Sequence, residues 1–173
     1  MKRYEIEIKR TNELTPDELK AVIRLKQQHW NYDDASQLAW FQKNVTEEDI
    51  HLLVLEGQAL IAYLDAVWVD VKLNGNPMRA LGIGNVCVAK SHTNSGVGAM
   101  LIAALNFRLK SDDICGFLLC KDPLVGFYQK SNWQLLNAAN ITVAGTAFSH
   151  NAMGYHLPRN FDKIDKIEFS REF

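Results

Sequence analysis

The sequence NVCVAKSHTNSGVGA at residues 85–99 sets the topology expected for this chain. It runs from an apolar strand through a polar loop into a helix, and Gly96 and Gly98 stand where the helix begins. A helix start carries unpaired backbone N–H groups and the positive end of the helix dipole, and glycine lets a phosphate approach the backbone closely. The stretch therefore predicts an anion-binding loop.

Two familiar phosphate-binding loops do not fit this stretch. No Gly-Lys-Ser/Thr follows the glycines, as a nucleotide-binding P-loop would require. A dinucleotide-binding fingerprint is also excluded, because the strand before the loop follows a predicted hairpin instead of opening the chain. In isolation, the two glycines are also compatible with a tight turn that binds nothing.

The segments around the loop predict a mixed sheet. Two long strands, at about 59–73 and 78–88, are joined by Asn74-Gly75, a dipeptide that favours a hairpin turn because both positions take φ > 0. The short apolar segment 114–120 is typical of a buried parallel strand. The strand, helix and strand around the glycine loop are therefore expected to form a right-handed parallel crossover.

The remaining segments predict further helices and strands. Thr15-Pro16-Asp17-Glu18 is typical of a helix start with a capping box, and this helix is expected to end near Trp30. The other expected elements are strands at about 4–8, 51–56, 140–148 and 154–157, a helix at about 35–43, a helix that Asp122 caps and that ends near Asn132, and a charged tail at 162–173 that is either helical or frayed. The sequence thus predicts one α/β (α+β) domain over residues 1–173.

Composition and charge exclude several classes of partner. The 173 residues include 19 Lys and Arg against 20 Asp and Glu, so the net charge is −1, and 47% of the residues are apolar. A protein that binds nucleic acid or a membrane surface mainly by charge would need a basic surplus. We therefore expect no nucleic-acid partner and no membrane partner. The sequence also predicts no signal peptide and no membrane span.

The cysteines and histidines indicate the compartment and argue against a metal. Three cysteines, Cys87, Cys115 and Cys120, form no C-x-x-C motif, so we expect reduced, buried thiols in a cytoplasmic protein. Cys87 is interpreted as a small buried residue and not as a nucleophile. The five histidines show no metal-ligand spacing, and no metal is predicted.

Two motifs make the sequence resemble the GNAT (GCN5-related) N-acetyltransferases. The family loop Q/R-x-x-G-x-G/A is matched by residues 93–98, with Thr93 in place of the first residue. The family helix F-Y-x-x-x-G-F/W is matched by residues 127–133, with Asn132 in place of glycine. The resemblance covers about residues 50–157, and the element order is also similar to the aminoglycoside 2′-N-acetyltransferase branch.

The resemblance implies a fold and a cosubstrate. The fold is the acyl-CoA N-acyltransferase fold, a mixed and mostly antiparallel sheet with a central parallel crossover, flanked by helices. The cosubstrate is acetyl-CoA, and Tyr128 would be the general acid that protonates its departing thiolate. A backbone N–H of Val86 or Cys87 would stabilise the oxyanion. The residues implied in cofactor binding are Val86, Cys87 and Val88 along the pantetheine arm, Thr93, Asn94, Ser95, Gly96, Val97, Gly98 and Ala99 at the pyrophosphate, and Phe127 with Tyr128.

The general base is left open among several groups. Relatives often use a carboxylate on the fourth strand, where this chain has Gly84 and Asn85. The candidates are Asp65 and Asp70, which lie on opposite faces of one strand, and His51. A chain of waters or a backbone carbonyl is the alternative.

The predicted function is direct transfer of an acetyl group to a primary amine of a small molecule. The alternatives are a non-catalytic acyl-CoA-binding sensor or interaction domain, and an unrelated α/β protein whose loop binds nothing. Trp30, Trp40 and Trp68 are expected in the core, and any that is exposed would line an apolar acceptor pocket with the N-terminal helices. The strand-rich C-terminal end offers a surface for a homodimer.

Overall fold

The computed structural model describes residues 3–173. The helices are α1 Pro16–Gln27, α2 Asp34–Asn44, α3 Val97–Ser111 and α4 Asp122–Gln129. The strands are β1 Tyr4–Arg10, β2 Ile50–Glu56, β3 Ala59–Leu73, β4 Asn76–Val88, β5 Gly116–Cys120, β6 Gln134–Leu135, β7 Asn140–Val143, β8 Thr146–Ala147, β9 Asn151–Tyr155 and β10 Lys166–Phe169. Short 3-10 turns cover Thr11–Glu13, Lys90–His92 and Phe161–Lys163.

The chain divides into two compact units, and the long strands contribute to both. The first unit contains the chain up to Val67 together with Asn85–Leu105, and the second contains Trp68–Gly84 together with Asn106–Phe173. None of the helices within residues 3–173 has the length and apolar character needed to cross a membrane.

The first unit contains an antiparallel sheet, two N-terminal helices and the start of α3. Strand β2 pairs with β1 and with β3, and its register places His51 opposite Asp65. Helix α1 begins as the sequence predicts, because the Thr15 hydroxyl accepts from the Glu18 N–H and the Glu18 carboxylate accepts from the Thr15 N–H. The helix ends at Gln27, three residues before the predicted end at Trp30.

The second unit is a mixed sheet with the strand order β6-β9-β5-β4-β3-β10-β7-β8. Strands β4 and β5 are parallel, with Leu81 opposite Gly116 and Ile83 opposite Leu118, which confirms the predicted parallel pair on either side of α3. The hairpin between β3 and β4 turns at Asn74 (φ 48°) and Gly75 (φ 84°), also as predicted. Aromatic packing fills the core, where Phe117 and Phe169 meet edge to face.

Two predictions for the C-terminal third are wrong. The charged tail is neither helical nor frayed along its length, because Lys166–Phe169 forms β10 between β3 and β7, with Ile167 and Phe169 buried. The predicted strand at 140–148 is divided into β7 and β8 by a turn at Ala144 (φ 49°) and Gly145 (φ 79°).

The predicted cap of α4 is also wrong. Its N-cap is Lys121, which makes no capping hydrogen bond, and Asp122 is the first helical residue. The Asp122 carboxylate instead accepts from the Asn151 Nδ2 at 2.6 Å. Pro123 still stands in the first turn, where its missing N–H costs nothing.

Candidate active site

The end of strand β4 departs from regular strand geometry at Asn85. This residue has φ 51°, in the left-handed region that Asn tolerates better than most residues. The register of β4 with β5 covers Leu81–Ile83, and β4 continues to Val88. His29 Nε2 donates to the Val88 carbonyl at 2.7 Å, and the Ala89 N–H donates to the Ile61 carbonyl at 2.7 Å.

Cys87 lies within this segment as a buried, protonated thiol. It is 4% exposed, and burial raises its pKa to about 12. A thiol with that pKa is almost wholly protonated at neutral pH, and the thiolate is the nucleophilic form. The chemistry of Cys87 is therefore that of a small core residue.

The glycine loop gives α3 an N-terminus with open amides. The Gly96 carbonyl accepts the first hydrogen bond of the helix, from the Met100 N–H at 3.0 Å. The N–H groups from Gly96 to Ala99 therefore have no acceptor within the helix. Gly96 has φ 86°, a conformation that side chains rarely adopt. The N–H groups of Thr93 and Ser95 donate within the loop instead, to the carbonyls of Lys90 and His92.

Neighbouring elements hold the loop in place. The Gln28 side chain accepts from the Lys90 N–H at 2.9 Å, and His92 Nε2 lies 3.1 Å from the Glu56 carboxylate. Ser91 Oγ lies 2.9 Å from the other nitrogen of the His92 ring. The loop is therefore held by side chains from the end of α1 and the end of β2. Thr93, Asn94 and Ser95 are all exposed.

Tyr128 lies in the second unit, on α4, and is 5% exposed. Its ring meets Phe127 edge to face at 5.0 Å and Trp133 at 6.3 Å between centroids. Burial, and secondarily the charge of Cys120 in its thiolate form, raise the pKa of the Tyr128 phenol. The side chain is therefore a protonated phenol at neutral pH, the form that can donate a proton.

The F-Y-x-x-x-N-W segment ends α4 in the way its sequence indicates. Asn132 takes φ 64°, which confirms that Asn replaces the usual glycine in a left-handed helix end. The Trp133 N–H then donates to the Tyr128 carbonyl at 3.2 Å, and the Trp133 indole donates to Asn106 Oδ1 at 2.9 Å. This end fixes the Tyr128 backbone against α3.

The three candidate bases have different surroundings. Asp65 is 2% exposed and accepts from Asn85 Nδ2 at 2.6 Å. His51 is fully buried, and both ring nitrogens have partners, Tyr63 Oη at 2.7 Å and Thr11 Oγ1 at 2.9 Å. Burial lowers the pKa of His51 to about 4, so the ring is neutral and weakly basic. Asp70 is exposed and lies in the second unit.

A cavity of about 540 Å³ opens in the first unit, within the size range of small-molecule sites. Trp30 and Trp40 are on its wall, and Trp40 is 37% exposed. Trp68 is not among the lining residues and lies under the guanidinium of Arg79, 4.4 Å away. The residues that line the cavity are Lys26, Trp30, Tyr32, Ser36, Gln37, Trp40 and Asn85.

Lys26 is the lining residue that sequence reasoning missed. It is 6% exposed, and its ammonium lies 4.7 Å from the centroid of the Trp40 ring. Burial lowers its pKa, while Asp65 and Cys87 oppose that shift. The sequence held a signal for it, because Lys26 shares the apolar face of α1 with Val22 and Ile23, where a charged residue is unusual.

A glycine loop at a helix start between two parallel strands, a protonated tyrosine on the next helix and a cavity of small-molecule size are features of an acyl-CoA-dependent transferase. The family profile described as "Acetyltransferase (GNAT) domain" matches residues 10–136, so this chain belongs to the GNAT acetyltransferase family. This membership confirms the predicted family, the predicted class of acetyl-CoA-dependent acyltransferase and acetyl-CoA as cosubstrate. No curated protein matches the chain.

Solved structures share the fold at low sequence identity. Escherichia coli YhbS, solved in complex with CoA, is 14% identical with a TM-score of 0.70, over 98% of this chain and 91% of that one. Escherichia coli ElaA is 18% identical with a TM-score of 0.66, over 88% and 99%. An aminoglycoside 6′-N-acetyltransferase complexed with coenzyme A is 14% identical with a TM-score of 0.64, over 88% and 98%. These likenesses confirm the predicted mixed α/β fold.

Proposed function

We propose that this protein transfers the acetyl group of acetyl-CoA to a primary amine of a small molecule by direct attack. The observation that carries the proposal is the cavity of about 540 Å³. Asn85 lines this cavity, and its side chain donates a hydrogen bond to the buried Asp65 carboxylate. A cavity of this volume takes a small molecule, and the backbone of β4 continues directly from its wall at Asn85. An amine on that wall would therefore lie beside the backbone that we assign to the thioester.

The proposed cofactor site uses backbone groups. We assign the pantetheine arm to the backbone of Val86–Val88 and the pyrophosphate to the open amides of Gly96–Ala99. The β4–β5 register covers only Leu81–Ile83, and Asn85 then takes a left-handed conformation. Both observations support the first assignment, since the arm would bind as an extra strand beyond that point. The exposed side chains of Thr93, Asn94 and Ser95 would border the phosphates, and Phe127 would contact the cofactor beside Tyr128.

The proposed chemistry needs an oxyanion donor and an acid. A backbone N–H of Val86 or Cys87 would stabilise the oxyanion of the tetrahedral intermediate. When the C–S bond breaks, the CoA thiolate would take the proton of the Tyr128 hydroxyl. The raised pKa keeps the Tyr128 hydroxyl protonated at neutral pH, so the proton is available, but it also makes the phenol a weaker acid than the CoA thiol that forms.

We assign the base to Asp65. Its hydrogen bond to Asn85 places it directly behind the cavity wall. His51 has both nitrogens engaged and a pKa of about 4, and Asp70 lies in the other unit. Asp65 would draw one proton from the ammonium form of the acceptor and release it to solvent.

The test of the acid role is the Tyr128→Phe substitution, with Tyr4→Phe on β1 as the matched control. Loss of the hydroxyl should lower kcat by about a hundredfold or more, because a positioned general acid contributes on that order. The affinity for CoA, measured by calorimetry, should stay the same. Full turnover by Tyr128→Phe with every amine tested would contradict the role.

We further propose that residues 1–173 form one catalytic domain in the cytoplasm. Three free, buried cysteines suit a reducing compartment. A homodimer through the strand-rich C-terminal end is the proposed assembly, and sedimentation velocity tests it.

A further inference from the structure

One polar group on the cavity wall has no partner within the protein. Among the described residues, the Gln37 Nε2 is buried and makes no hydrogen bond. Gln37 is 5% exposed and lines the cavity from α2. A buried amide donor without an acceptor costs free energy in the empty protein. A ligand that brings an acceptor oxygen would remove this cost.

The same wall carries a positive charge. Lys26 is 6% exposed, and its ammonium lies against the face of Trp40. None of the described residues that line the cavity is an Asp or a Glu, and the Asp65 carboxylate, which favours the charged form of Lys26, lies behind Asn85. A buried cation and an unsatisfied amide donor that line the same cavity favour a ligand group that is both anionic and an acceptor, which a carboxylate is.

The rest of the wall suits an apolar body and an amine. Trp30, Trp40 and Tyr32 give the cavity aromatic surface. Asn85 uses its Nδ2 to donate to Asp65, which leaves its carbonyl oxygen as an acceptor for an ammonium or amine. The cavity thus offers donors for a carboxylate, an acceptor for an amine and aromatic surface for a side chain.

We propose that the acceptor is an α-amino carboxylate with an apolar or aromatic side chain. Its carboxylate accepts from Gln37 and pairs with Lys26, and its amine faces Asn85. This inference rests on the proposed function for the chemical step. The amine nitrogen forms a bond to the acetyl carbon, and the C–S bond of the thioester breaks. Of the two protons that the ammonium loses, one balances the CoA thiol and the other leaves through Asp65 to solvent.

The first experiment measures binding without turnover. L-Phenylalanine and L-phenylalaninamide are titrated into the protein with saturating CoA, and calorimetry gives each Kd. We expect phenylalanine to bind about tenfold to a hundredfold more tightly, as one charge-assisted interaction predicts. Lys26→Met and Gln37→Met should each reduce this preference, whereas Lys43→Met, which removes an exposed charge from α2 outside the cavity wall, should keep it.

Equal binding of the two compounds would overturn the inference, and so would a preference that survives both cavity variants. Gln37→Met keeps the test decisive if Lys26→Met does not fold, since it removes no charge and the Gln37 Nε2 makes no hydrogen bond. A second experiment measures CoA thiol release with the same compounds and phenethylamine. If the predicted binding occurs but no amine is acetylated, the proposed function fails, and the α-amino carboxylate stands as the class of ligand that the cavity binds. If amines with and without a carboxylate are acetylated equally well, the acceptor class fails and the proposed function stands.

Discussion

Asn85 connects the backbone of β4 to the side chains that we assign to catalysis. Its left-handed conformation is less favourable than the extended conformation of a regular strand residue. That conformation accompanies a 2.6 Å hydrogen bond to the buried Asp65 carboxylate. One residue therefore holds the proposed base by a hydrogen bond and departs from regular strand geometry just before the segment where the pantetheine arm is proposed to bind.

His51 should make stability depend on pH. Its pKa is about 4 in the folded protein because of burial, against about 6.5 when unfolded, so the unfolded chain binds the proton first as the pH falls. We expect this residue to cost about 3 kcal/mol of stability between pH 6.5 and 4, with no further loss below. Urea unfolding of wild type and His51→Gln across that range measures it. The fall in the free energy of unfolding between pH 6.5 and 4 should be smaller in the variant. The same fall in both proteins would contradict the assignment.

Sequence reasoning identified some single residues and missed others for a physical reason. Asn74 and Asn132 were predictable because each stands in a local motif that demands a left-handed residue. Asn85 stands within an otherwise regular strand, and its conformation depends on tertiary contacts. Gln37 and Lys26 are on two different helices, and no local pattern brings them to one cavity.

At the scale of elements, the N-terminus of α3 is the feature on which cofactor binding depends. The Gly98→Glu substitution would place a carboxylate at the open amides of Gly96–Ala99. We expect the Kd for CoA to rise roughly tenfold or more, because the carboxylate repels the phosphates and competes for the N–H groups. Calorimetry measures the Kd.

The matched control for that substitution is Ala103→Glu, an exposed position further along the same helix. It adds the same charge to α3 away from its first turn, so CoA affinity should remain near that of the wild type. Equal affinities for all three proteins would exclude the α3 terminus as the phosphate site.

Strand β5 packs so closely that a single methyl group should disturb the second unit. A Cβ at Gly116 would lie 2.6 Å from Leu109 Cδ1 and 3.0 Å from the ring of Trp133, both of them buried. Gly116→Ala should lower the free energy of unfolding by about 1–3 kcal/mol. Gly126→Ala on α4 meets nothing within 4 Å and should stabilise by about 0.5–1 kcal/mol. Denaturant unfolding compares the two, and equal stabilities would show that β5 tolerates the added volume.

Elements were predictable where one segment determines its own structure. The capping box of α1, the hairpin at Asn74-Gly75 and the parallel β4 and β5 follow from local signals. Strand β10 was missed although Lys166–Phe169 alternates polar and apolar residues. An alternation over only four residues is too short to predict a strand within a charged segment. The strand forms because β3 and β7 both pair with it.

At the scale of the whole molecule, a net charge of −1 is consistent with a polyanionic cosubstrate. Backbone amides at a helix start bind phosphates locally, so no surplus of Lys and Arg is needed. The low net charge also suits an acceptor that is zwitterionic. The match to the GNAT family over residues 10–136 includes residues of both units, and it accounts for the acyl-CoA chemistry without specifying the amine.

The most direct test of the account is the stoichiometry of the reaction over a panel of small amines. The purified protein is incubated with acetyl-CoA and each amine, and CoA thiol release is compared with the acetylated amine measured by mass spectrometry. The account predicts thiol release that depends on the amine and equals the amount of N-acetyl product. Thiol release without product, or no release with any amine while acetyl-CoA still binds, would contradict it.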